Sequence, residues 1–348
     1  MRAAAGKCGG NARRGIVNRV RAVAIVNRHA RRVRGRLLRE LESALPGAVR
    51  FTDSLDHARE VVRAEIERNA DLVVFGGGDG TVVMGLALLA EACRGTGVVE
   101  PAIGVLRLGA GNAIADAVGA SDDPAADLRR LARGEGVRTV RPMIEVLGVR
   151  APFVGTGVDA QLIEDERAVG RVVDRLPGAR RFVGGTARYA LSIALRSVPR
   201  FATGSRAHAT VTNLGAAAIE MDRDGETGRT VAREHQLWTG ACTLVAAATI
   251  PFFGFGLKMF AFAEHRPDRF HLRCGDVGLL EILRRTPDAF RGTYFSRHVT
   301  DFLCDRVAIE LDHEVAIEAG GELLGRHRRI EVAIGSPVTL VALPRVER

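Results

Sequence analysis

The chain has 348 residues, 47% apolar and 26% charged, enough for about two hydrophobic cores, which excludes a disordered or fibrous polymer. Its net charge of +9 comes almost wholly from arginine, since Lys7 and Lys258 are the only lysines, and the 5% of aromatic residues do not interleave with basic ones as base-stacking nucleic-acid binders require. Five cysteines form no CxxC pair and nine histidines no HxxxH or HExxH pattern, so neither a zinc ribbon nor a disulfide framework is indicated, and a reducing cytoplasm fits.

Residues 1–21 are rich in Arg and Gly without the apolar stretch of a secretory signal, and read as a disordered basic tail. Strand and helix then alternate. Ala22–Val26 reads as a strand, Arg31–Leu45 as a basic helix, and Val49–Thr52 as a second strand. A helix over 56–69 follows, with Asp53 or Ser54 as its N-cap. The apolar run Leu72–Phe75 predicts a third strand, Val82–Leu89 a helix, Pro101–Leu106 a fourth strand, and 122–134 another helix. Repeated βα units imply a doubly wound, Rossmann-like parallel sheet over 22–136.

The rhythm changes across a linker near 135–140. Short strands are expected at 137–149, 153–156, 207–214, 237–248, 257–263, 270–274, 307–311, 315–318, 330–334 and 338–343, with helices at 160–176 and 186–197. The expectation is a β-rich, largely antiparallel sandwich domain over 137–348, whose last strands are candidates to return to the first domain. Leu237–Leu257 reaches the length of a membrane span. Gly240, Pro251, Gly254 and Gly256 make two buried strands around a turn the better reading.

Two glycine-rich turns carry the chemistry. Gly76-Gly77-Gly78-Asp79-Gly80-Thr81 joins the third strand to its helix, where glycines let the backbone approach an anion and the helix start supplies unpaired N–H groups. An acid inside such a loop repels phosphate unless a cation lies between them, so Asp79 suggests a magnesium nucleotide. No Lys-Ser/Thr follows, as a Walker loop requires, and the GxGxxG spacing is absent. Gly109-Ala110-Gly111-Asn112 follows the fourth strand. Both turns lie beyond the carboxyl ends of strands, where such sheets bind ligands.

The first turn, GGDGT, resembles that of lipid kinases, NAD kinases and, more loosely, phosphofructokinases. The second, with its strand Ile103–Leu108, resembles the GxxPxGTGN segment of the diacylglycerol kinase/sphingosine kinase superfamily. Val26-Asn27, Thr52, Gly155–Ala160, Gly184–Tyr189 and Arg266–Phe270 resemble other segments of that family, and the likeness spans about residues 20–345. The resemblance implies ATP bound by Asn27, Thr52, Gly77, Gly78, Gly80, Thr81, Gly109, Ala110, Gly111 and Asn112. It also implies Asp79 organising Mg2+ at the phosphates, Asp268 with nearby carbonyls holding a magnesium ion, and a lipid hydroxyl attacking the γ-phosphate.

Four departures stand out. The family threonine of GTGN is Ala110, the acid after its Asn is Ala113, and the Asn-Glu after the first loop is Val83-Met84. The late Asp-Gly-Glu, whose Asp is the family's base, is Gly320-Gly321-Glu322. Loss of a general base is worth about 10²–10⁴-fold in rate. Glu318 is the expected substitute: in an extended strand Glu318, Gly320 and Glu322 share one face.

The expected function is therefore ATP- and Mg-dependent phosphorylation of a diacylglycerol- or sphingoid-like lipid, with Asp79, Glu318 and Glu322 as catalytic acids. A nucleotide- or lipid-binding relative without transfer, and a kinase of a soluble alcohol, are the alternatives. The expected partners are the lipid substrate and, peripherally, the inner membrane face of a cytoplasmic protein, with no nucleic acid; a homodimer is left open.

Overall fold

The computed structural model describes residues 20–157, 160–161, 163–165 and 206–344. Its first part is a run of βα units: β1 (Ala22–Asn27), α1 (Gly35–Ala44), β2 (Val49–Thr52), α2 (Leu55–Glu67), β3 (Leu72–Gly77), α3 (Asp79–Cys93), β4 (Ala102–Arg107), α4 (Ala113–Ala117) and α5 (Pro124–Ala132). The strands pair in parallel in the order β2-β1-β3-β4. They lack polar alternation because both faces are covered. Val23, Ile25, Val73, Phe75, Ile103 and Val105 pack with residues of α2 and α3, while Ala24, Val26, Leu72, Val74, Ala102 and Leu106 pack with those of α1 and α5.

Local chemistry sets the helix ends. Ser54 Oγ accepts the His57 N–H (3.2 Å) and starts α2, and Asp123 Oδ1 accepts the Ala126 N–H (2.9 Å) ahead of Pro124 in α5. α1 starts later than Arg31 because the Arg32 N–H donates to the Leu108 carbonyl (3.2 Å), which holds this arginine-rich stretch as a loop.

The remaining elements are β5 (Val137–Val146), β6 (Val149–Ala151), β7 (Phe153–Gly157), β8 (His208–Asn213), β9 (Ala218–Asp222), β10 (Gly225–Val231), β11 (Gln236–Ala241), β12 (Leu244–Ala248), β13 (Phe270–Gly275), α6 (Leu279–Arg291), β14 (Val299–Cys304), β15 (Arg306–Ala319) and β16 (Glu322–Ala342). Their pairings with one another are antiparallel. β16 also pairs in parallel with β4 through Leu340 and Ile103, which joins the strands of both parts into one sheet.

Several expected boundaries are corrected. Residues 257–263 form turns, not a strand, because the Phe260 N–H bonds back to the Pro251 carbonyl and Phe253 pairs with Leu257 across a turn with positive φ at Gly254, Phe255 and Gly256. The run 137–149 is split by a turn at Leu147-Gly148, and 237–248 by Cys242-Thr243. The last four expected strands merge into two, β15 and β16, each bent by register shifts rather than broken. Helix α6 and strands β9, β10 and β14 were not expected. Ala160, Gln161 and residues 163–165 are helical; the rest of the helices expected at 160–176 and 186–197, and the motif Gly184–Tyr189, lie outside the described residues.

Beneath α6, Arg273 is fully buried and forks onto Asp301 (Nε to Oδ1 2.7 Å, Nη2 to Oδ2 2.9 Å). His271 Nε2 stands 3.0 Å from the same Oδ1, and its Nδ1 accepts the Phe262 N–H (3.4 Å). The imidazole is thus a neutral donor to the carboxylate, and the buried cluster is charge-balanced.

Candidate active site

In the order β2-β1-β3-β4 the chain leaves β1 to one side for β2 and to the other for β3. This topological switch point opens a crevice beyond the strand ends. β1 delivers Asn27 there, β2 delivers Thr52, and β3 delivers Gly77 and Gly78. The two glycine turns meet in this crevice: a Cβ at Gly109 would overlap the Gly78 Cα, so the second turn tolerates no side chain at that contact. Thr81 folds its side chain back over Gly77, where a Cβ would overlap it.

Asp79 does not face open solvent. It is buried at the start of α3, and its Oδ1 accepts the Ile114 N–H (2.8 Å). The N–H groups of Ala113, Asn112 and Asp79 itself also bond its carboxylate. Burial raises its pKa, and these N–H groups oppose that shift. Asp79 therefore clasps the short helix α4 to the head of α3 and fixes the second turn against the first. Asn112 takes the left-handed conformation (φ 55°) that Asn adopts more readily than most residues. Its Oδ1 accepts the Gly109 N–H (2.9 Å) and its Nδ2 donates to the Gly109 carbonyl (3.0 Å). Ala110 is exposed at the tip of this turn.

A cleft of about 290 Å³ is lined by Asn27, His29, Thr52, Gly80, Thr81 and Glu322, with Met84 and Phe75 behind them. Asn27 Nδ2 donates to Thr81 Oγ1 (3.4 Å), and its Oδ1 accepts the His29 N–H (2.9 Å). The Glu322 carboxylate lies over Gly80, where a Cβ would overlap Oε1. That position, at the N-terminus of α3, is favoured for a negative charge.

The expectation that Glu318, Gly320 and Glu322 share a face is corrected. Gly320 and Gly321 both have positive φ (56° and 82°) and form a two-residue hairpin, with Ala319 opposite Glu322 and Glu318 opposite Leu323. Opposed residues share a face and neighbours alternate, so Glu318 and Glu322 project to opposite sides. Glu318 is buried, and its Oε2 accepts the Gly321 N–H (2.9 Å). A Cβ at Gly320 would overlap Val83 Cγ2.

Asp268 is not brought to the crevice. It lines a separate groove with Glu145, Asp305 and Glu331, and its side chain is 69% exposed, 3.5 Å from Arg269 Nε. No group of three or more His, Cys, Asp or Glu side chains able to hold a metal ion occurs among the described residues, and Asp79 is committed to α4. The sequence reading missed His29 in the cleft. It also missed the loop whose Phe255 N–H donates to the Gly111 carbonyl (2.7 Å) and seats Gly254 against Gly111. The three glycines at 240, 254 and 256 were the available signal for such close backbone approach.

Comparison with known proteins bears on this arrangement. Residues 21–141 match the family model of the diacylglycerol kinase catalytic domain. A diacylglycerol kinase from Bacillus anthracis str. Sterne superposes with a TM-score of 0.60 at 13% identity, covering 93% of this chain and 97% of the other. Two further structures from that organism, carrying provisional diacylglycerol kinase assignments, give 0.61 and 0.59, each at 15% identity. They cover 93% and 92% of this chain and 98% and 97% of their own. No curated protein matches the chain. At such identities the likeness to solved structures establishes the fold.

Proposed function

We propose, from the match of residues 21–141 to the family model of the diacylglycerol kinase catalytic domain, that this protein transfers the γ-phosphoryl group of ATP to a lipid hydroxyl. The observation that supports this most is the backbone-to-backbone contact of two glycine turns at the head of α3, an anion-binding arrangement at the sheet's switch point. The N–H groups at the start of α3 receive phosphate oxygens, and Asn27, Thr52 and Thr81 line the nucleotide's side of the cleft. Two carboxylates line this cleft: Asp53 is paired with Arg28 (3.7 Å), while Glu322 lies over Gly80 at the head of α3, so Glu322 takes the hydroxyl proton as the new O–P bond forms and the bond to ADP breaks. Magnesium, when present on the nucleotide, neutralises phosphate charge.

The test is incubation with labelled ATP, magnesium and either diacylglycerol or sphingosine in mixed micelles. A labelled lipid is expected. Nucleotide binding without label in either lipid would move the conclusion to a second reading, a nucleotide-binding relative that does not transfer phosphate. That reading is favoured by one observation: the family's base position is a glycine whose side-chain space Val83 fills.

A further inference from the structure

Helix α6 lays one face toward solvent. Leu280 (69% exposed), Leu283 (62%), Arg284, Pro287, Phe290 (47%) and Arg291 lie zero, three, four, seven, ten and eleven residues along the helix, a continuous helical stripe. Single exposed apolar residues need no explanation, but four in one stripe do. The stripe continues onto the neighbouring loop. A Cβ at Gly256 would lie 3.9 Å from Phe290 Cε1, Phe255 is 45% exposed, and the Lys258 N–H donates to the Ala289 carbonyl (2.9 Å).

The charges are sorted by face. Arg284 makes no ion pair among the described residues, and Arg291, paired with Asp288 (3.3 Å), still exposes 69% of its side chain. Lys258 stands 5.8 Å over the Phe252 ring, beside the C-cap Gly292. The two acids of the helix are both engaged: Glu281 with His298 Nδ1 (2.7 Å) and the Tyr294 hydroxyl (3.3 Å), Asp288 with Arg285 (2.7 Å) and with Arg291 of the stripe. An apolar stripe rimmed by cations, on a helix anchored by its other face, complements an anionic lipid surface.

We propose that α6, with the loop over 252–258, is the surface by which this protein docks on an anionic bilayer. The proposal rests on the lipid-kinase reading for its purpose. The docking loop is the one whose Phe255 bonds Gly111 in the second glycine turn, so a docked molecule holds the crevice rim at the membrane.

The test is co-sedimentation of the full chain with phosphatidylcholine vesicles, with and without phosphatidylglycerol. Binding is expected to the anionic vesicles and to be at least about tenfold weaker to the neutral ones. The double variant Leu283→Glu, Phe290→Glu should weaken anionic-vesicle binding by about tenfold or more. Arg284→Glu should weaken it too, most at low salt. Val99→Glu, at an 87% exposed site off the stripe, should leave it unchanged. Equal binding to both vesicle types, or a double variant that binds as wild type, overturns the proposal. So does a double variant that converts a lipid-free dimer to monomer, which would assign the face to a second copy. Transfer to a short-chain, water-soluble diacylglycerol separates the two readings. No transfer with vesicle binding intact counts against the kinase alone, and transfer without vesicle binding counts against the docking surface alone.

Discussion

Val83 fills the space into which a side chain at Gly320 would extend, and Gly320 itself sits at φ 56° in a hairpin turn. Two positions where the chain departs from the pattern it resembles, one on α3 and one in the hairpin before β16, are thus a single packing arrangement. Restoring an acid at 320 alone should fail. Gly320→Asp should lower stability by about 1–3 kcal/mol through overpacking, read from urea unfolding. Adding Val83→Ala, which removes the obstructing Cγ2, should recover part of that loss. If the carboxylate then reaches the cleft, phosphoryl transfer should rise above wild type.

Gly109→Ala places a methyl group against the Gly78 backbone, which has no side chain to move aside. A stability loss of about 3 kcal/mol is expected, together with loss of nucleotide affinity. Thermal melting and a fluorescent-nucleotide titration measure the two. Alanine at 110, by contrast, is already present at the exposed tip and costs the turn nothing.

The two late glutamates should separate kinetically. Glu322→Gln should cut transfer by about 10²–10⁴-fold while nucleotide still binds. Glu318→Gln keeps an acceptor for the Gly321 N–H, and should cost about 1 kcal/mol of stability while transfer stays within a few-fold of wild type. A Glu318→Gln enzyme as impaired as Glu322→Gln would reassign the base.

The buried cluster under α6 predicts the acid limb of stability. Burial pushes the His271 pKa below its ordinary 6.5, and Asp301 opposes the shift only in part. The unfolded chain binds this proton near 6.5 and the fold does not, so stability falls as pH drops below about 6.5. Burial works to raise the Asp301 pKa, but Arg273 and His271 outweigh it and hold the carboxyl well below the usual range. A second loss therefore begins as pH falls below about 4. Urea midpoints should be level above pH 7 and decline in these two stages. Asp301→Asn, which leaves the Arg273 cation buried and uncompensated, should cost about 3–5 kcal/mol at pH 7 and abolish the second stage.

The parts of this structure that were legible in the sequence share one property: their signal is local. The apolar runs Ala22–Val26, Leu72–Phe75 and Ala102–Leu106 specify strands buried on both faces, and the glycine turns after two of them specify the crevice. The signal was weaker where partners are distant. β10 is almost wholly solvent-facing and polar, so its pairing with β9 leaves no hydrophobic alternation to read. α6 carries Pro287 in its interior and points leucines outward, reversing the usual pattern. Asp79 looked like a ligand of the phosphates because its four N–H partners include two from α4 and one from its N-cap Asn112, and α4 is a helix of five residues with no periodicity to announce it. The Gly-Gly pair at 320–321 was a readable hairpin signal between two apolar runs. Matching it to a family motif obscured the turn.

The long strand β16 sets a mechanical limit on the crevice. It runs 21 residues, pairing with β15 and β5 and then with β4, so both halves of the molecule are planks of one floor. A clamshell swing about the linker would tear the β4–β16 seam, whose hydrogen bonds have no water to replace them in a covered sheet. Severing the chain before β16 would leave β4 as a raw edge, so the nucleotide-binding half should aggregate when expressed alone.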